Sequence, residues 1–168
     1  MAVLSPTVST NVANLGGGVK VMGPCAAAGD IFYPGAILFS AKIEASSPTG
    51  KINALPTSGI LERFAGICSK LQTTTAADQL VEYYVGGVWL FPAIAAVSSA
   101  DIGSWLICDK DGTLSDNPAD LVSSNDVTKT TGDAVIGRIV GMDASSNIVV
   151  DCGCGGGLLL TSTSFALY

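Results

Sequence analysis

An all-β fold, a compact β-barrel or β-sandwich with one or two short helices and an extended N-terminal arm, is what this 168-residue sequence predicts. Three observations carry the prediction. Apolar and polar residues alternate with period two in the most regular stretch, "PGAILFSAKIEA". Clusters of turn-forming residues, "SSPTGK", "TTTAAD", "DKDGT" and "DASSN", interrupt the chain at short intervals. Glycine is plentiful, at 20 residues, and with Ser/Thr-rich connections it favours many short strands over long helices. The length fits one domain that buries roughly two-thirds of its unfolded surface.

Residues 1–18 scatter Val3, Leu4, Val8, Val12 and Leu15 among Ser, Thr and Asn without a helical stripe. They read as an extended arm, and Gly16–Gly18 separates it from a single domain over 19–168. In "PGAILFSAKIEA", Ile37, Phe39, Ala41 and Ile43 fall on one face and Ser40, Lys42 and Glu44 on the other, which specifies a half-buried strand. Further strands are expected at 59–70, 79–91, 104–109, 134–142, 147–152 and 158–168. Gly86-Gly87 is expected to shift the register of 79–91 by a bulge. Only 93–103 and 117–126 look able to form short helices, and the polar stretch 111–133 reads as a surface excursion.

Charge narrows the function. Charged residues make up 13% of the chain, about half the usual share, so much of the exterior is small and polar or is covered by partners. Residues 1–100 carry five acids and five bases. Residues 101–168 carry nine acids against Lys110, Lys129 and Arg138, so the net charge of −6 lies wholly in the C-terminal part. No basic patch exists to neutralise a phosphate backbone, and nucleic acid is not an expected partner. The longest apolar run, 88–97, is interrupted by Pro92 and is too short to span a bilayer, so no membrane partner is expected. The opening "MAVLSPTVSTNVANLGGG" has no basic start and no continuous apolar core, so synthesis in the cytoplasm as a soluble chain is expected.

The chain contains no histidine, which removes Ser-His-Asp and Cys-His catalysis and most catalytic zinc sites. The stretch "DCGCGGG" at Asp151–Gly157 raises a metal clip, a redox pair or a phosphate cradle. A zinc site needs two more ligands than Cys152 and Cys154 supply; Cys25, Cys68 and Cys108 would have to converge by folding. A redox pair is normally C-x-x-C in a βαβ setting, and a phosphate loop needs a lysine after its last glycine. The plain reading is a strand that ends, with the five cysteines as small buried hydrophobes. In "DKDGTLSDNPAD", Asp109, Asp111, Asp116 and Asp120 suggest calcium, but Gly112 stands at position four and Asp120 ends the loop, against the EF-hand pattern. No cofactor, metal or catalytic residue is therefore expected. The segment "VEYYVGGVWLFPA" holds Tyr83, Tyr84, Trp89 and Phe91, whose alternation makes one face core and offers the other to a subunit interface.

Read together, "AAAGDIFYPGAILFSA", "GILERFAGIC", "YYVGGVWLFPA", "SADIGSWLICDKDGTLS" and "GDAVIGRIVGMDASSNIVVDCG" resemble the small decoration, or cement, proteins of tailed-bacteriophage capsids. The similarity covers roughly residues 26–153, and neither the Cys-x-Cys end nor the tail "LLLTSTSFALY" belongs to it. The resemblance implies a compact β-tulip-like module, usually a homotrimer, on the outer surface of an icosahedral shell, whose partner is the major capsid protein. It implies a purely associative role, stabilising the expanded shell where capsomers meet. The arm residues Leu4, Val8, Val12 and Leu15 are then candidates for the capsid contact, and Tyr83, Tyr84, Trp89 and Phe91 for the subunit interface. The alternatives are another virion or surface component, such as a tail-tube, fibre or adhesin domain, and a cysteine- or metal-dependent enzyme.

Overall fold

The computed structural model describes residues 12–41, 50–53, 62–94, 97–108, 121–124, 134–153, 158–161 and 164–167. Its strands, in chain order, are β1 (Ala13–Gly16), β2 (Val19–Pro24), β3 (Ile31–Phe32), β4 (Ile37–Ala41), β5 (Ile52–Asn53), β6 (Glu62–Cys68), β7 (Gln72–Thr73), β8 (Leu80–Val85), β9 (Val88–Phe91), β10 (Trp105–Cys108), β11 (Leu121–Ser124), β12 (Ala134–Met142), β13 (Ile148–Asp151), β14 (Leu158–Thr161) and β15 (Ser164–Leu167). The fold is all-β. Its paired strands are antiparallel, and the one helical element among the described residues is a 3-10 turn, Ser99–Asp101.

A large sheet runs β1-β9-β13-β12-β10-β11, with β14 and β15 attached through β12; a second runs β2-β8-β6-β4-β5, and β3 pairs with β7 alone. The two larger sheets share one core. Ile37, Phe39, Phe64 and Ile67 come from the second sheet, and Trp89, Phe91, Leu106, Ile136, Ile139, Ile148 and Val150 from the first. The period-two pattern explains who faces in: along β13, Ile148 and Val150 are buried while Val149 and Asp151 are partly exposed, and β9 alternates in the same way.

Strand β4 departs from the half-buried expectation. Ile37 and Phe39 enter the main core, but Ala36 and Leu38, on the opposite face, enter a second core with Cys25, Phe32, Ile52, Cys68 and Val81. Ser40 is buried as well. Short-range alternation cannot anticipate this, because the roof over that face comes from Cys25, Phe32 and Ile52, which precede or follow β4 in the chain. Full burial of Phe32 and Leu38 removes them from water at about 1.5–3 kcal/mol each.

Residues 79–91, expected as one bulged strand, are two strands in different sheets, broken at Gly86 (φ +69°) and Gly87 (φ +87°). The same break occurs between β1 and β2, at Gly17 (φ +67°) and Gly18 (φ +81°). Because β1 pairs with β9 and β2 with β8, the four strands form a two-stranded ribbon that turns from one sheet into the other at stacked glycine pairs. The backbones touch there: a Cβ on Gly87 would lie 2.8 Å from the Gly18 nitrogen and 3.0 Å from the Gly17 carbonyl carbon.

The expected helices are also corrected. Among the described residues of 93–103 only the Ser99–Asp101 turn is helical, and within 117–126 Leu121–Ser124 is β11, paired along its length with β10. The local sequence "ADLVSS" tolerates a helix; the free edge of β10 recruits it as a strand instead. The stacked corner yields a stability prediction. Gly87→Ala and Gly29→Ala both place a side chain at nearly the same positive φ, +87° and +86°, but Gly29 has nothing within 4 Å of the added methyl. Gly29→Ala is expected to cost about 1–2 kcal/mol, the left-handed penalty alone, and Gly87→Ala distinctly more, read as a larger loss in urea midpoint. Equal losses would mean that the close approach of the two corners carries no stability.

Candidate interaction surface

Of the arm residues, Val12 is partly buried against the main core and Leu15 stands half exposed on β1; Leu4 and Val8 lie outside the described residues. The end of the arm is therefore part of the fold, since Ala13–Gly16 pairs with β9 of the same chain.

The aromatic set divides. Trp89 and Phe91 are buried in the chain's own core, which corrects their assignment to a subunit interface. The cause is the glycine corner: it puts β9 in the large sheet and turns Trp89 inward, where its indole N–H donates to the Gly86 carbonyl at 2.8 Å. Tyr84 packs edge-on against Trp89, with ring centroids 5.4 Å apart, and carries the Lys20 ammonium 5.4 Å above its own ring. Tyr83 lies partly buried against the second core. Tyr83 and Tyr84 thus retain partial exposure on opposite faces of β8.

A polar hub that the sequence does not advertise centres on Glu82. The Ser69 hydroxyl donates to its carboxylate at 2.6 Å, Lys20 approaches at 3.4 Å and Lys70 at 3.5 Å. Gln72 brackets its backbone, accepting from the Glu82 N–H at 2.7 Å and donating to its carbonyl at 2.9 Å. The Ser69 hydrogen bond foremost, and then Lys20, holds the Glu82 carboxyl below its ordinary value. The hydrogen bond and charge of Glu82 raise Lys20 in return. Around this hub the surface is apolar: Val19, Met22, Leu71 and Leu80 are all more than half exposed. No local motif flags the hub, because its members converge only through the pairing of β8 with β2 on one side and with β6 on the other.

The cysteines that can be placed follow the plain reading. Cys25, Cys68 and Cys152 are buried free thiols, with Cys25 and Cys68 in the second core and Cys152 in the main one. Burial pushes the Cys68 thiol up, away from the reactive thiolate. The "DCG" stretch ends β13: the Asp151 carboxylate accepts the Gly153 N–H at 2.8 Å, closing a tight turn. Among the described residues no group of three or more His, Cys, Asp or Glu comes together as a metal site. Asp109, Asp111, Asp116, Asp120 and Cys154 lie outside the described residues. No helix among the described residues is long and apolar enough to cross a membrane. No family model, curated protein or solved structure matches the chain.

The Glu82 hub is testable by pH. A carboxyl lowered in the folded chain contributes stability that is complete above its ordinary 4.5 and is lost as pH falls through the lowered value. Glu82→Gln keeps the shape and an acceptor for Ser69 but removes the charge. The variant is expected to melt below the wild type at about pH 6, and the two melting temperatures should converge towards about pH 3. A gap that stays constant over that range would show that the charge contributes nothing.

Proposed function

We propose that this chain is a structural virion protein that binds the outer surface of an icosahedral phage capsid and stabilises the expanded shell at capsomer junctions, as a homotrimer contacting the major capsid protein. The order of sequence elements that resembles the capsid decoration proteins supports the reading, and an all-β fold agrees with it. The observation that carries it is how the arm joins the fold. No charged residue precedes Lys20, so the whole arm is small, polar or aliphatic. Strand β1 sets Ala13 opposite Leu90 at an edge of the large sheet. One residue further β9 ends at Phe91, and Pro92 has no N–H to extend the ladder.

The described pairing of β1 with β9 begins at Ala13, opposite Leu90. In this reading residues 1–11 are the anchor. Fully extended they reach roughly 35 Å, at about 3.3 Å per residue, enough to cross onto a neighbouring subunit. Added as a strand to a capsid sheet edge, they gain backbone hydrogen bonds while Leu4 and Val8 fill pockets. A protein that binds only the assembled lattice stabilises it by mass action, and a trimer multiplies weak contacts into strong attachment. The acidic C-terminal part suits a position outside a DNA-filled shell.

Deleting residues 1–11 leaves β1 intact and tests the reading. The truncated protein is expected to keep its oligomeric mass and nearly its full melting temperature, while its occupancy on undecorated shells, measured against full-length protein in the same mixture, drops at least tenfold, on the order of one lost anchor. Equal occupancy would remove the arm as anchor, and absence of shell binding by the full-length protein would remove the capsid reading altogether.

A further inference from the structure

The outer face of the large sheet carries a pre-positioned cation. Arg138 on β12 and Trp105 on β10 are register partners, and the guanidinium carbon lies 5.5 Å from the indole ring centroid. The Arg138 Nε–H donates to the Gly103 carbonyl at 2.9 Å. These two contacts hold the guanidinium over the ring while occupying one N–H, which leaves the rest of its donor fork for a partner. Arg138 is exposed and forms no ion pair among the described residues. Asp151, its neighbour across β13, has its Oδ1 engaged by the Gly153 N–H.

Two exposed aliphatics lie nearby. Val140, two residues along β12, and Ile102, in the loop whose Gly103 N–H bonds the Ile139 carbonyl at 2.8 Å, are each 48% exposed. An arginine stacked on tryptophan with aliphatics beside it has the composition of an interface hot spot, and its fork matches a carboxylate.

We propose that Arg138, held on Trp105 between Ile102 and Val140, is the centre of a contact between two copies of this chain, receiving a carboxylate of the neighbouring copy. The inference rests on the self-association in the reading above and names its residues. Charge argues for a second copy as the occupant. Residues 101–168 hold nine acids against three bases, one of them Arg138, so a copy presenting this half supplies carboxylates in abundance. Two such halves repel unless a cation lies between them.

Sedimentation of the full chain, wild type beside Arg138→Glu, Arg138→Lys and Ile102→Lys, decides the matter, with circular dichroism confirming that each is folded. The wild type is expected at three times the chain mass of 16.9 kDa at micromolar concentration. Arg138→Glu and Ile102→Lys should weaken association at least about 30-fold, and Arg138→Lys, which keeps the charge without the planar fork, by less. If Arg138→Glu does not fold, Ile102→Lys on the exposed loop gives the answer. A trimeric wild type with trimeric variants overturns this inference and leaves self-association standing; variants that stay trimeric but lose occupancy on undecorated shells overturn it by giving the face to the capsid. A wild type that sediments as one chain overturns the self-association reading and this inference together.

Discussion

The backbone contact between Gly17-Gly18 and Gly86-Gly87 is the constraint on which the rest of the molecule depends. Two paired strands must leave one sheet and enter the other side by side, and they do so only if both chains adopt positive φ at the same level and approach without side chains between them. Once that turn is made, β9 presents Trp89 and Phe91 to the main core, and β8 presents Tyr84 to the same core and Val81 to the second one. The corner also makes β1 and β2 the outermost strands of their two sheets on the same ribbon. Strand β1, the exposed aliphatics of β2 and Glu82 on β8 consequently lie on one two-stranded ribbon.

The hub shows how a chain poor in charge places the few charges it has. Glu82 sits between two lysines and a hydroxyl, and its backbone is bracketed by the side-chain amide of Gln72, so β8 is tied to β2 and to the segment joining β6 with β7. Exposed ion pairs taken singly add little stability. Here the value is registration, because the partners come from two separate segments, β2 and the connection from β6 to β7, and meet at one carboxylate.

The all-β class was legible because period two and turn chemistry are local properties, visible in "PGAILFSAKIEA" and "DASSN" alone. In the latter, Asp143 accepts from the Ser145 and Asn147 N–H groups and closes the β12–β13 turn. The burial of Cys25, Cys68 and Cys152 was legible for a similar reason, since their spacing offers no shared ligand geometry. What failed depended on partners distant in sequence. Gly86-Gly87 reads equally as a bulge or a corner until Gly17-Gly18 is set against it. "ADLVSS" reads as a helix until β10 offers an edge. Trp105 and Arg138 stand 33 positions apart and meet only through register, so nothing near either marks them as a pair.

The two-faced burial of β4 has its own consequence. A strand that is the common wall of two cores cannot lose one without stripping a face from itself, so opening the second core exposes Leu38 and loosens Ile37 and Phe39 in the first. The two cores therefore behave as one cooperative unit, and the amides at the centre of β4 belong to the class that exchanges hydrogen with solvent only when the whole chain unfolds.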